Sequence, residues 1–122
     1  MNPSPRSNKR GRLIKRMAEV VDCSAHLRET LLRYEKTMTL ISERLKQGKR
    51  AVDASRGTTI PTERRRVTES IAEFESARHQ LRLALFAVGM EEDASMAEIG
   101  RVLGISRQLS SRLAAEAKQN DA

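Results

Sequence analysis

The 122-residue chain is poor in the residues that build several common kinds of site. It has two Phe, one Tyr and no Trp, only three Pro, and a single cysteine. One cysteine, Cys23, excludes an intramolecular disulfide framework and a cysteine-rich zinc site. No apolar run approaches the roughly 18 residues that suggest a membrane span. The basic start is not followed by an apolar signal segment, so we expect a cytoplasmic protein that binds no membrane.

The scarcity of aromatic rings also narrows the possible partners. Proteins that hold single-stranded nucleic acid usually stack its bases on aromatic side chains, and this chain has few. The net charge is +7, from 23 Lys and Arg against 16 Asp and Glu, which is compatible with a polyanionic partner. If that partner is a nucleic acid, the few aromatic rings favour duplex DNA over a single strand. The alternative to any polyanionic partner is a basic surface that only serves solubility.

The positive charge falls into two basic clusters, whereas residues 67–94 are mainly acidic. The first cluster has no acid and consists of Arg6, Lys9, Arg10, Arg12, Lys15 and Arg16. The second lies within residues 44–66. It is interpreted as a second DNA contact, a partner site or a solvated loop.

The positions of glycine and proline predict two long helices. Neither residue occurs between Gly11 and Gly48 or between Pro61 and Gly89. We expect a flexible basic tail over 1–12, a first helix over 13–46, a polar loop over 47–61, and a second helix that ends with Gly89 as its C′ residue. A break in the first helix at residues 22–24 is the alternative.

The first helix carries a seven-residue apolar repeat, which is typical of a coiled-coil seam. One series is Leu13, Val20, Leu27, Tyr34 and Ile41, and a second series four residues on is Met17, Ser24, Leu31, Met38 and Leu45. The second helix has the stripe Val67, Ile71, Phe74, Arg78, Leu81, Leu85 and Val88. We expect the two helices to bury these stripes in an antiparallel hairpin over 13–89, and we expect a homodimer because a two-helix hairpin buries little area.

The segment from Ser95 to Leu113 carries the strongest local signals. Ser95 and Glu98 form a capping box that opens a short helix, with Met96, Ile99 and Leu103 on its inner face. Gly104 ends this helix, and Ser106 is placed to cap the next one. Two short helices joined by a turn that contains glycine make a helix-turn-helix.

The segment AEIGRVLGISRQ resembles the helix-turn-helix of bacterial DNA-binding proteins that read A-E-I-G/A-x-x-L-G-[IV]-S-R-Q, and it is similar to the −35-reading region of sigma factors. The resemblance covers residues 94–118, and Ser110 departs from the aliphatic residue or alanine usual at its position. It implies that the second helix enters the major groove of duplex DNA. The DNA-binding residues would be Arg101, Ser106, Arg107, Gln108, Ser111 and Arg112.

A trihelical domain needs a third helix, which we expect to be the end of the second long helix, so that the domain spans 75–118 and leaves 119–122 as a tail. An antiparallel hairpin would bring the basic tail beside this domain, where Arg6, Lys9, Arg10 and Arg12 could act as an arm on the DNA backbone.

These expectations describe an all-α protein with a long helical hairpin followed by a C-terminal helix-turn-helix. The favoured function is a sequence-specific, nucleoid-associated transcriptional regulator of bacterial type. The alternatives are a protein that binds the transcription machinery through its long helices, and a nonspecific nucleoid protein. His26 and His79 are isolated and no nucleophile–base set occurs, so we expect no enzyme activity, no cofactor and no metal site.

Overall fold

The computed structural model describes residues 5–121, and the side chains of residues 8–120. Every regular element in this range is an α-helix, in agreement with the all-α prediction. The helices are α1 (Pro5–Lys46), α2 (Ala51–Ser55), α3 (Ile60–Glu91), α4 (Met96–Leu103) and α5 (Arg107–Asp121). No helix within the described residues is both long enough and apolar enough to cross a membrane.

The chain divides into two compact units, to which α1 and α3 both contribute. The terminal unit comprises Met1–Val21 and Ser76–Ala122, and the middle unit comprises Asp22–Glu75. In the terminal unit the start of α1 lies beside the end of α3, and in the middle unit Thr30 of α1 contacts Ser70 of α3. Within each unit, one long helix therefore packs on another in an antiparallel direction.

The expected flexible tail over 1–12 is wrong for the described part of that segment. Helix α1 begins at Pro5, and proline suits the first turn of a helix because its missing N–H would have no partner there. Residues 1–4 lie outside the described residues. Two ion pairs hold this first part of α1 on the terminal unit: Lys9 Nζ lies 3.6 Å from Glu91 Oε1, and Arg10 Nη1 lies 2.6 Å from Glu92 Oε2. The expected tail at 119–122 is also wrong in part, since α5 continues to Asp121.

Helix α1 is continuous to Lys46, as predicted, but the connection that follows it is more ordered than a polar loop. It contains α2, in which Ala54 is fully buried. Arg44 Nη1 donates to the carbonyl oxygens of Ala54 and Arg56 at 3.0 and 3.4 Å. These bonds hold the connection against the end of α1, and α3 then starts at Ile60, inside the loop expected over 47–61.

The first apolar series of α1 is half-buried throughout, but its partner series lies three residues on instead of the expected four. In the middle unit Thr30 and Thr37 are buried, whereas Leu31 and Leu45 of the expected series are 38% and 44% exposed. A heptad repeat permits either offset, and the small threonine side chains let the helices approach closely. The second of the two series that apolarity alone predicts for this seam is therefore wrong.

The face of α3 that packs on α1 also buries small side chains in place of a larger apolar one. Ser70 and Ala77 are buried, whereas Ile71 of the predicted stripe is exposed. In the middle unit the Thr30 hydroxyl donates to the His26 carbonyl at 2.9 Å and lies 3.3 Å from the Ser70 hydroxyl. These bonds satisfy the buried hydroxyls, and such polar contacts set the register of a helical pair more than they add to its stability.

Three helices end in the same way, with a left-handed residue followed by two backbone bonds that close the last turn. This residue is Gly48 after α1, Asp93 after α3 and Gly104 after α4. After α3, the N–H of Ala94 donates to the carbonyl of Gly89 at 2.9 Å, and that of Asp93 donates to Met90 at 3.2 Å. The prediction that Gly89 itself is the C′ residue is therefore wrong.

Gly89 instead lies inside α3 at a close helix–helix contact. A Cβ atom at this position would lie 2.7 Å from Ile99 Cδ1 of α4. The glycine therefore permits α4 to pack on the end of α3, and does not end the helix.

The hydrophobic core lies in the terminal unit, where the end of α3 meets α4 and α5. Phe86 is fully buried, and Leu83, Ile99, Leu113, Ala114 and Ala117 surround it. The end of helix α3 thus shares one core with α4 and α5. The middle unit is different, because Ala54 is the only buried hydrophobic residue among its described side chains.

Two glycine-to-alanine changes test this account of the helix ends. Gly11 lies within α1 with open space around a Cβ, so Gly11→Ala should raise the free energy of unfolding by about 0.8–1 kcal/mol. Gly104 also has open space, but its φ is +69°, so Gly104→Ala should lower the free energy of unfolding by about 1–2 kcal/mol. Urea unfolding followed by circular dichroism measures both, and effects of the same sign would contradict the assignment of Gly104.

Candidate functional site

Helix α4 begins at the capping box predicted from Ser95 and Glu98. The Ser95 side-chain oxygen accepts from the Glu98 backbone N–H at 3.1 Å, and its hydroxyl donates to Glu98 Oε1 at 3.4 Å. Ser95 has extended backbone angles, as an N-cap residue should. The cap fixes the start of α4 directly after the turn that ends α3.

The turn between α4 and α5 consists of Gly104, Ile105 and Ser106. The Ile105 N–H donates to the Gly100 carbonyl at 3.0 Å, and the Ile105 side chain packs against the core. Ser106 Oγ accepts from the Leu109 N–H at 3.1 Å, so it caps α5 as predicted. Both ends of the turn are thereby closed by hydrogen bonds, which fixes the angle between α4 and α5.

Gly100 and Ser110 form a close contact between α4 and α5. A Cβ at Gly100 would collide with Ser110 Oγ and would lie 3.2 Å from Ser110 Cβ. The Ser110 hydroxyl donates to the Ser106 carbonyl at 2.8 Å, so this buried polar group is satisfied within its own helix. The serine that departs from the usual pattern is therefore a small residue that fits against a glycine.

The inner face of α4 is close to the predicted one, and α5 packs apolar residues against the same core. Ile99 and Leu113 are buried, and Leu103 and Leu109 pack against the core. Met96 is an exception, since 44% of it is exposed. Met96 is the first residue of α4 and lies at the edge of the core.

All six predicted DNA-binding residues are exposed. Arg107, Gln108, Ser111 and Arg112 lie on the outward face of α5, Arg101 lies on α4, and Ser106 lies in the turn. Arg112 lies five positions after Arg107, a rise of about 7.5 Å along a helix. The structure therefore brings four of the six residues together on one patch, the α5 patch (Arg107, Gln108, Ser111 and Arg112).

The three arginines among the predicted DNA-binding residues have no ion-pair partner within the described part of the protein, whereas some other arginines do. Arg16 and Arg33 form ion pairs with Glu19 and Glu29 on their own helix. Among the described residues, none makes an ion pair or side-chain hydrogen bond with Arg101, Arg107 or Arg112. Three cationic groups near the start of α5 are thus available to an external anion.

A possible local partner of Arg112, Glu116 one turn later, is engaged elsewhere. Glu116 Oε1 lies 3.1 Å from Nε2 of His79, which links α5 to α3. The isolated His79 therefore has a structural contact that its sequence context did not indicate, because the two residues are far apart in the chain. This contact leaves the α5 patch without a neighbouring carboxylate partner.

The proposed backbone arm has a different form from the one expected. Lys9, Arg10 and Arg12 lie on α1, and Lys9 and Arg10 pair with Glu91 and Glu92. The side chain of Arg6 lies outside the described residues. These described basic residues therefore lie on a helix whose ion pairs hold it beside the end of α3, and not in a flexible tail.

No group of three or more His, Cys, Asp or Glu in the described part of the chain could hold a metal ion. Cys23 is a free, half-buried thiol in α1. His26 is exposed, and its backbone carbonyl accepts from Thr30.

Comparison with protein-family models, with curated proteins and with solved structures found no match to this chain. The geometry of the α5 patch and the resemblance of the segment around it therefore carry the functional argument.

The contact between Gly100 and Ser110 can be tested by filling it. Gly100→Ala should lower the free energy of unfolding by about 1–3 kcal/mol, because the new methyl group overpacks a closed contact. Adding Ser110→Gly removes the atoms that the methyl group meets and should restore part of the loss. Thermal unfolding of the single and double variants measures this coupling, and fully additive effects would show that α4 and α5 do not meet at these residues.

Proposed function

We propose that this protein is a sequence-specific duplex-DNA-binding protein, a transcriptional regulator of bacterial type that acts on the nucleoid. In this proposal α4 and α5 form a helix-turn-helix, and α5 is the recognition helix. The observation that supports it is the α5 patch, an exposed Arg-Gln-Ser-Arg surface free of carboxylate partners on a helix whose other face is fixed in a core.

The residue types of the α5 patch suit the major groove. Arginine donates two hydrogen bonds to N7 and O6 of guanine, and glutamine pairs with N6 and N7 of adenine. Arg107 and Gln108 lie in the first turn of α5, which is the part of a recognition helix that reaches base edges. We assign these two residues to base reading.

The remaining residues suit the phosphate backbone. Arg101 lies on α4, the helix that crosses the backbone in this arrangement. Ser106 accepts a bond as a cap and still has its O–H to donate to a phosphate oxygen. Arg112 and Ser111 lie one turn further along α5, and Arg12 on α1 adds a more distant basic group.

Dimerisation belongs to the same proposal. The middle unit keeps a polar seam at Thr30, Thr37 and Ser70, and it leaves Leu31 and Leu45 of α1 exposed. A two-helix layer with so little buried apolar surface gains stability when a second copy covers it. A symmetric dimer would then present two recognition helices to a palindromic site.

Substitution of the patch residues tests the assignment. Arg107→Ala should weaken binding to a selected duplex about 5- to 150-fold, the cost of about 1–3 kcal/mol for one lost bidentate base contact, and it should relax preference at one base pair. Arg112→Ala should weaken binding to all sequences alike and reduce the slope of log affinity against log salt by about 0.9. Fluorescence anisotropy over a salt series measures both effects.

Arg33→Ala is the matched control, because Arg33 is an exposed arginine of the middle unit that is already paired with Glu29. It removes the same charge without touching the α5 patch. If Arg107→Ala and Arg112→Ala change affinity and salt slope no more than Arg33→Ala does, the assignment of the site is wrong.

The dimer is tested separately from DNA binding. Leu31→Glu places a charge on the exposed apolar face of the middle unit and should convert a dimer to a monomer in light scattering. Val102→Glu is the control, because Val102 is 83% exposed but belongs to α4 of the terminal unit. A wild-type protein of monomer mass at micromolar concentration would contradict the dimer, and heteromeric capture by another transcription component would then be the favoured use of this face.

A further inference from the structure

A basic cleft in the terminal unit lies apart from the α5 patch. It has a volume of about 280 Å³ and lies between α1, α3 and α5. Its polar wall consists of Lys9, Arg12 and Arg16 of α1, with Gln80 of α3 and Asn120 of α5. Its floor is apolar, formed by Leu83 and three alanines.

The sequence explains why a cleft forms here. Lys9, Arg12 and Arg16 are three and four residues apart, a spacing that places them on one face of a helix. Across from them the alanines, among them Ala84 and Ala87 of α3, are too small to fill the space beneath the long basic side chains. Small residues opposite long cations therefore leave an open volume with charge at its rim.

The electrostatics of this cleft favour an anion. Its lining includes three cationic side chains and no carboxylate. Glu91 and Glu19 contact Lys9 and Arg16 at 3.6 and 3.0 Å without lining the cleft, so they orient these two groups. An arginine has five N–H donors, and the bond from Arg16 Nη1 to Glu19 uses one of them.

We infer that this cleft binds a small organic anion with at least two negative charges, such as a phosphate ester or a dicarboxylate. The cationic groups would hold its charged groups, the amides of Gln80 and Asn120 would hydrogen-bond its polar atoms, and the alanine floor would accept its carbon skeleton. The volume lies just below the roughly 300–1,000 Å³ of drug-sized ligand sites, so the ligand is compact.

The position of the cleft separates this ligand from the DNA phosphates of the proposed function. Asn120 lies 13 residues after Arg107 on α5, which is about 20 Å along a helix. The cleft is therefore at the opposite end of α5 from the base-reading residues. Because its walls come from three helices, an occupant stabilises the unit that presents the α5 patch, which makes it a candidate effector of DNA binding.

Nuclear magnetic resonance of the ¹⁵N-labelled full chain tests the inference directly. The side-chain amide signals of Gln80 and Asn120 are followed while pyrophosphate, succinate or acetate is added at constant ionic strength. We expect saturable shifts with pyrophosphate or succinate, and smaller, non-saturating shifts with the monovalent acetate. Equal responses to all three anions would overturn the inference.

Matched variants test whether the residues of the cleft bind the anion. Arg16→Gln should weaken the binding of the divalent probe about tenfold or more, since it removes a charged donor, whereas Arg33→Gln of the middle unit should leave it unchanged. Ala84→Leu should block the cleft without removing a charge. Unchanged binding in both Arg16→Gln and Ala84→Leu would overturn the site.

Addition of an unlabelled DNA duplex without any small anion separates the two sources of phosphate. Duplex DNA alone should not move the Gln80 and Asn120 amide signals to the positions that saturating pyrophosphate gives. If the duplex shifts these signals to the same saturated positions as pyrophosphate, the cleft is a DNA contact and the small-ligand inference fails. The outcome does not depend on whether the α5 patch reads sequence, so the two proposals fail independently.

Discussion

The burial of Phe86 is the interaction on which the rest of the terminal unit depends. It is fully buried, and the side chains that enclose it come from α3, α4 and α5. A buried phenylalanine contributes about 1.5–3 kcal/mol relative to an exposed one, and its removal from a core costs about 3–5 kcal/mol. Three short apolar surfaces that could not remain in water separately are thus joined around one side chain.

This core also determines which face of α5 is exposed. Leu113, Ala114 and Ala117 turn inward, and the Gly100–Ser110 contact fixes how closely α5 approaches α4. The outward residues follow from this arrangement, because a helix with one face fixed has its other face fixed as well. The α5 patch is therefore held by packing and hydrogen bonds, a requirement for any surface that recognises a partner by geometry.

The sequence predicted local features well wherever a residue acts on its neighbours in the chain. The caps at Ser95 and Ser106 and the glycine turn at Gly104 are all present, since each depends on bonds within a few residues. Predictions that depended on distant contacts were less accurate. Because glycine favours helix ends, the sequence predicts an end at Gly89, yet Gly89 contacts Ile99, which only tertiary packing reveals.

The seam of α1 shows the same limit in another form. Apolarity favoured the series that contains Leu31, whereas the structure buries Thr30 and Thr37, whose hydroxyl groups are small. Two other features also depend on residues distant in the chain. Glu91 pairs with Lys9 in the first turns of α1, and Glu116 pairs with His79. The basic cleft was missed for this reason, although the spacing of Lys9, Arg12 and Arg16 was a signal that could have indicated it.

We propose that the exposed face of α5 reads duplex sequence. Bound fragments are first selected from a random duplex library. The affinity for the selected duplex is then compared, at one salt concentration, with the affinity for a scrambled duplex of equal length. A recognition helix at α5 should bind the selected duplex at least about a thousandfold more tightly than the scrambled one, which is the lower end of the usual ratio of specific to nonspecific affinity. Equal affinities for the two duplexes, or no binding to either, would contradict it.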